Sequence, residues 1–151
     1  MTKKFAKKHT TIMFRVEEIE QTNTVVHLKW KLKGFNARKF YFKLLRSRSL
    51  GEYVTFYTSS VQDMNVAGVE WPCEFKMKDI CRNDPNRSLR IEIWDYEKSP
   101  HDDLEVTKFL AEFSFTLGYI KRHVGAYMGC FTGKFMHGMI KVVSYDLSYE
   151  F

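Results

Sequence analysis

Proline, cysteine and glycine are all scarce, at three, three and eight of 151 residues. That excludes collagen-like and low-complexity chains, in which proline and glycine together reach about a quarter of the residues. The cysteines, Cys73, Cys81 and Cys130, are odd in number and form no C-x-x-C pair. Neither a disulfide framework nor a paired-cysteine zinc site is expected, and reduced thiols point to an intracellular protein, cytoplasmic or membrane-associated. No run approaches the roughly 18 apolar residues a membrane-spanning helix needs, so a soluble or peripheral domain is expected. The basic start, residues 1–10, is not followed by an apolar segment, which argues against a secretory signal. The acid-free first 16 residues also fit an organellar presequence, but a solvated basic tail is the simpler reading.

Catalytic motifs are missing too. Gly129-Cys-Phe-Thr-Gly133-Lys134 has three residues between its glycines, one too few for a phosphate-binding loop. Phe135 then stands where a serine or threonine would hold magnesium. The five histidines, His9, His27, His101, His123 and His137, lack the i, i+4 spacing of H-E-x-x-H and a cysteine at zinc-site distance. There is no G-x-S-x-G elbow, and no cysteine has the local context of a nucleophile. The chain is therefore expected to be non-catalytic, with no metal, no cofactor and no small-molecule substrate.

What is present is charge of one sign at one end and a period of two. The net charge of +6 arises from 13 basic against 3 acidic residues up to Arg48, and 11 against 15 after it. Such a balance favours anionic or acidic partners and says nothing of fold. Val26, Leu28, Trp30 and Leu32 alternate with His27, Lys29, Lys31 and Lys33, which predicts a strand with one buried and one cationic face. Beyond a turn at 34–36, Phe40, Phe42 and Leu44 alternate with Lys39, Tyr41 and Lys43, predicting a second strand beside the first. Further strands are expected at 53–58, 71–77, 89–94, 109–117 and 139–147. Turn-rich segments separate them at 46–52, 60–68, 82–88, 98–103 and 129–138. Helix is limited to a turn near 77–81 and another near 119–127. Seven or eight short strands of this kind argue for an all-β antiparallel sandwich preceded by an extended N-terminal arm. The expected division is a basic arm at 1–22 and the sandwich at 23–151.

One acidic cluster stands out, Asp95-Tyr96-Glu97-Lys98-Ser99-Pro100-His101-Asp102-Asp103, directly after the 89–94 strand. Hard oxygens at a strand end can converge on calcium, which takes six to eight oxygen ligands. On spacing alone a plain polar loop is the better account, because calcium loops usually draw on more carboxylates. The run Ser88-Leu-Arg-Ile-Glu-Ile-Trp-Asp-Tyr-Glu, however, resembles the strand and third calcium loop of a C2 domain, most closely the second C2 domain of copines. Phe109-Leu-Ala-Glu-Phe113 is similar to that family's following L-I-G-x-F strand. Val69-Glu-Trp71-Pro-Cys-Glu-Phe75 resembles its N-P-x-W-x-x-F segment, Ile80-Cys81-Arg-Asn-Asp84 its L-C-x-G-D turn, and Gly138-Met-Ile-Lys-Val-Val143 its closing strand. The likeness runs in order over nearly the whole chain and implies an eight-stranded C2-type β-sandwich. The von Willebrand-type domain that follows in copines has no counterpart here.

Departures from the family pattern carry the functional expectation. Calcium-binding members supply two aspartates from the first loop; this chain has Asn36 near the first position and Lys39 near the second. In the third loop Asp95 is kept, Glu97 replaces an aspartate, Ser99 replaces another acid, and the last ligand aligns with Asp103 or Lys108. An ammonium beside so few carboxylates repels calcium, so a calcium-independent module is implied, in which Lys33, Arg38 or Lys39 pairs with Asp95, Glu97 or Asp103. Some C2 domains hold phosphoinositides with a Tyr and Lys on one strand and lysines on the next. Tyr41 and Lys43 resemble the first half, and Lys29, Lys31 and Lys33 are candidates to complete it, although a merely solvated sheet face explains them equally well. Aromatic residues at 16%, seven methionines and the Gly-, Met- and aromatic-rich stretch 124–140 instead suggest an interface core within a protein assembly. The expected role is docking or scaffolding as an accessory structural subunit. A peripheral module on anionic phospholipid is the alternative, and nucleic acid is disfavoured because Trp30 and Phe42 fall on the apolar side of their strands.

Overall fold

The computed structural model describes residues 24–49, 51–64 and 68–149; the expected arm at 1–22 lies outside them. The strongest alternation in the sequence forms β1 (Thr24–Lys33), where Val26, Leu28, Trp30 and Leu32 are at most 2% exposed. It pairs with β5 (Val69–Lys76) on one side and β9 (Phe135–Tyr149) on the other, and β9 pairs in turn with β8 (Tyr127–Thr132). A second layer has the order β3 (Tyr53–Thr58), β2 (Lys39–Ser47), β6 (Leu89–Lys98) and β7 (Glu105–Phe115). The two-residue β4 (Gln62–Asp63) adds to the start of β2. The layers join where β7 meets β8 through the single pairing Glu112–Phe131, and all pairings are antiparallel.

Both layers turn their apolar faces to one core. Phe42 of β2 stacks on Trp71 of β5 with centroids 4.5 Å apart, and Trp30 of β1 meets the edge of Phe115 of β7 at 5.5 Å. The twelve largest fully buried side chains include Trp30, Phe40, Phe42 and six Leu or Ile from strands of both layers, as a sandwich requires. Two short helices close its lower edge: α1 (Met77–Cys81), which buries Ile80 and Cys81, and α2 (Leu117–Arg122), capped by the Thr116 hydroxyl accepting from the Tyr119 amide at 3.0 Å.

Three expectations change. The strands β1 and β2 are not neighbours, because the connection at 34–38 crosses from one layer to the other. Alternation demands only that each strand's apolar face reach the core, and opposite layers satisfy that as well as adjacent strands do. The stretch 129–138 is not a long turn: it is the β8–β9 hairpin, tightened at Gly133 and Lys134, with Gly133 at φ +59°. The expected helix at 119–127 is shorter and begins earlier, since Tyr127 already opens β8.

Candidate functional site

The crossover at 34–38, the β6–β7 connection and the β8–β9 turn emerge at the same end of the sandwich. Strand β6 does not stop at Trp94 but runs on to Lys98, so Asp95 and Glu97 sit on a strand and only 99–104 form the loop. Asp95 is held opposite Phe40 of β2 and Lys108 of β7. Between β6 and the crossover lies an open cleft of about 1140 Å³, which Asn36, Arg38, Lys39, Asp63, Asp95 and Glu97 help to line. Four of the five residues singled out as degenerate calcium positions, Asn36, Lys39, Asp95 and Glu97, thus share one cleft. Asp103 is not among its lining residues; its backbone is left-handed (φ +53°) and its carboxylate lies 3.8 Å from the Lys98 ammonium.

The cation partners differ from the expected ones. Lys39 lies 3.9 Å from Asp63 on β4, a residue with no assigned role in the sequence reading. Lys33 is turned to the outer face of β1, where its ammonium sits 3.8 Å from the centroid of the Tyr127 ring. Among the described residues, none of Lys33, Arg38 and Lys39 forms an ion pair with Asp95, Glu97 or Asp103. Nor does any group of three or more His, Cys, Asp or Glu side chains converge there as a metal site would require. Only the pairing of β4 with β2 brings Asp63 to the cleft, and no local pattern in the sequence announces it.

The five candidate anion-binding residues fall on opposite outer faces. Tyr41 and Lys43 belong to β2, where Trp94 stacks on Tyr41 at 6.2 Å and lies beneath the Lys43 ammonium at 4.4 Å. Lys29, Lys31 and Lys33 belong to β1 in the other layer, where Lys29 pairs with Glu70 at 3.3 Å and the neighbouring His27 faces Glu74 at 3.4 Å. A single groove built from all five is therefore corrected: the β1–β2 crossover separates its two halves by the thickness of the sandwich.

Cys81 and Cys130 are buried and Cys73 is half-buried. Burial pushes Cys73 and Cys81 up to about 11 and Cys130 up to about 12, so all three stay protonated at neutral pH. Cys73 also accepts the Trp30 indole N–H at 3.0 Å, a packing role. Among the described residues, no helix is long and apolar enough to cross a membrane.

Two four-stranded antiparallel layers with loops from three connections gathered at one end match known structures. The fold is that of a C2 domain. The chain superimposes on BON1-C2B with a TM-score of 0.66, covering 85% of this chain and 94% of that one at 8% identity. It also superimposes on CC2D1B with a TM-score of 0.50, covering 80% of this chain and 53% of that one at 9% identity. No protein-family model matches the sequence, and no curated protein is similar to it by sequence. At these identities the likeness establishes the C2 sandwich and nothing finer.

Proposed function

We propose that this chain is a non-catalytic, calcium-independent C2 module, most similar to the second C2 domain of copines, that docks protein partners as an accessory subunit of an intracellular assembly. The observation that carries the calcium half is the occupancy of the loop cleft: Asn36, Arg38 and Lys39 line it, with Lys39 drawn 3.9 Å from Asp63. A calcium ion entering between Asp95 and Glu97 would meet these two cations with too few carboxylates to replace its hydration shell. Calorimetry tests it directly: binding tighter than about 10 μM, within the range of sensor-type loops, contradicts the proposal.

The docking half is supported by exposed apolar side chains at the loop end. Phe135 is 76% exposed, Leu104 60%, and Val106 and Met136 57% each, the four largest values among the exposed large hydrophobics. Aromatic residues and methionine concentrate at interface cores. The alternative, docking on anionic phospholipid, is weakened by the division of Lys29, Lys31, Lys33, Tyr41 and Lys43 between opposite faces. Purification from the native source with identification of what co-elutes, beside co-sedimentation with acidic liposomes, separates the two readings. A monomer that instead binds acidic liposomes overturns the docking assignment.

A further inference from the structure

The β8–β9 hairpin brings Tyr127 and Lys141, which belong to neither the calcium-loop reading nor the five candidate anion-binding residues, beside Lys31 and Lys33 of β1 in a cationic cluster on the outer face of its layer. Tyr127 of β8 lies opposite Lys141 of β9, and the ammonium groups of Lys33 and Lys141 stand 3.8 Å and 4.6 Å from the centroid of its ring. Lys31 lies directly opposite Lys141 across the β1–β9 ladder, and its stem leans the other way, over Gly68. Like charges placed directly opposite in an antiparallel pair are unfavourable, and an aromatic ring attracts a cation without cancelling its charge. Among the described residues, no carboxylate pairs with Lys31, Lys33 or Lys141; Glu70, the nearest across the ladder from Lys31, is taken by Lys29. The arginines at the opposite end differ in this respect. Arg46 donates to the Asp79 carbonyl, and Arg87 to the carbonyls of Cys81 and Ser47, so they fasten α1 to the sheet.

We propose that Tyr127, Lys33 and Lys141, flanked by Lys31, form the docking site for an acidic segment of a partner protein. This rests on the docking reading above and names the chemistry of the partner. Charge complementarity selects the acid, and the surroundings select a narrow segment over a bilayer. Glu70 and Glu74 of β5 share this outer face, as does Asp146, which lies opposite His27, so an anionic membrane laid on it would be repelled by three carboxylates. The same hairpin carries Phe135 and Met136 at its tip, where apolar residues of the bound segment would find cover.

The test is a titration of the isotope-labelled full chain with an octaglutamate peptide at low salt, followed by amide chemical shifts. Shifts centred on residues 31–33, 127–128 and 140–142, lost as salt rises, are expected. Lys33→Glu with Lys141→Glu should weaken binding by about tenfold or more, while Lys43→Glu on the opposite face leaves it unchanged. Lys141→Glu also places a carboxylate opposite Lys31, so its melting temperature should hold or rise while binding falls, which separates lost docking from lost folding. Shifts centred on Arg46, Arg82 and Arg87, or equal weakening by Lys43→Glu, overturn the site. Sedimentation with phosphatidylserine vesicles but no response to the peptide overturns it in favour of a membrane. A native partner that is retained by the double variant sinks this site alone and leaves the docking reading standing; a chain that co-purifies with nothing sinks the docking reading, whatever the peptide does.

Discussion

Trp71 and Phe42 stack across the two layers at 4.5 Å, tying β5, at the edge of one sheet, to β2 in the other. Trp71 also lies against Phe40 at 5.9 Å and is 8% exposed, while its indole N–H has no hydrogen-bond partner in the protein. Trp71→Ala should therefore cost about 3–5 kcal/mol in urea-melt stability. Trp71→Phe should cost less than about 1.5 kcal/mol, because it keeps a ring in the stack and removes the unsatisfied donor. Equal losses from the two would mean that the stack is not what joins the layers.

Gly138 admits no side chain. A Cβ there would lie 2.4–2.6 Å from three atoms of the Phe35 ring, which is buried beneath the crossover. Gly138→Ala should displace Phe35, loosen the segment that carries Asn36 and Lys39, and destabilise by about 1–3 kcal/mol. Coupling of less than about 0.3 kcal/mol with Phe35→Ala in a double-mutant cycle would show the two sites to be independent.

Calcium affinity should be recoverable. The wild-type melting temperature is expected not to move in millimolar calcium. Asn36→Asp combined with Lys39→Asp adds two carboxylates to the cleft and removes its paired ammonium. Calcium at a hundred times the dissociation constant should then raise stability by about 2.7 kcal/mol. If the double variant remains insensitive, the cleft fails to hold calcium for reasons of shape and not of charge.

The buried thiols set an alkaline limit. Cys81 and Cys130 are raised from an ordinary value of 9.0 to about 11 and about 12 by burial. Below pH 9 both are protonated folded or unfolded and stability is unaffected. Above it the unfolded chain loses protons that the folded one retains, so stability falls between pH 9 and about pH 11 to 12, by at most about 1.4 kcal/mol per pH unit for each thiol. Denaturant melts at pH 8 and pH 10 should show the loss, and Cys130→Ala should reduce it. A pH-independent midpoint over that range would mean that the thiols are open to solvent.

Much of the sandwich is legible in the order of residues along the chain. The alternation of Val26, Leu28, Trp30 and Leu32 with His27 and three lysines places four side chains in the core correctly, and Phe40, Phe42 and Leu44 do the same for β2. The absence of an acid between Gly34 and Lys39 is equally local, and Asn36 and Lys39 both line the cleft. Less local features escape. Asp63 reaches Lys39 through a two-residue strand too short to carry a period, and Lys141 looks like any outward lysine until β9 is set between β8 and β1.

By itself, then, the sequence determined which side of strands such as β1 and β2 faces inward and that residues 34–39 carry no acid, because burial and charge are properties of individual positions. Only the tertiary structure decided which strands share a sheet. That choice separates Lys43 from Lys33 by the thickness of the core and brings Lys33, Lys141 and Tyr127 together. The physical reason is that an apolar face is satisfied by any partner that excludes water. The selection among partners rests on how Trp30, Phe42, Trp71 and Phe115 interlock across the layers, a fit among residues far apart in the chain.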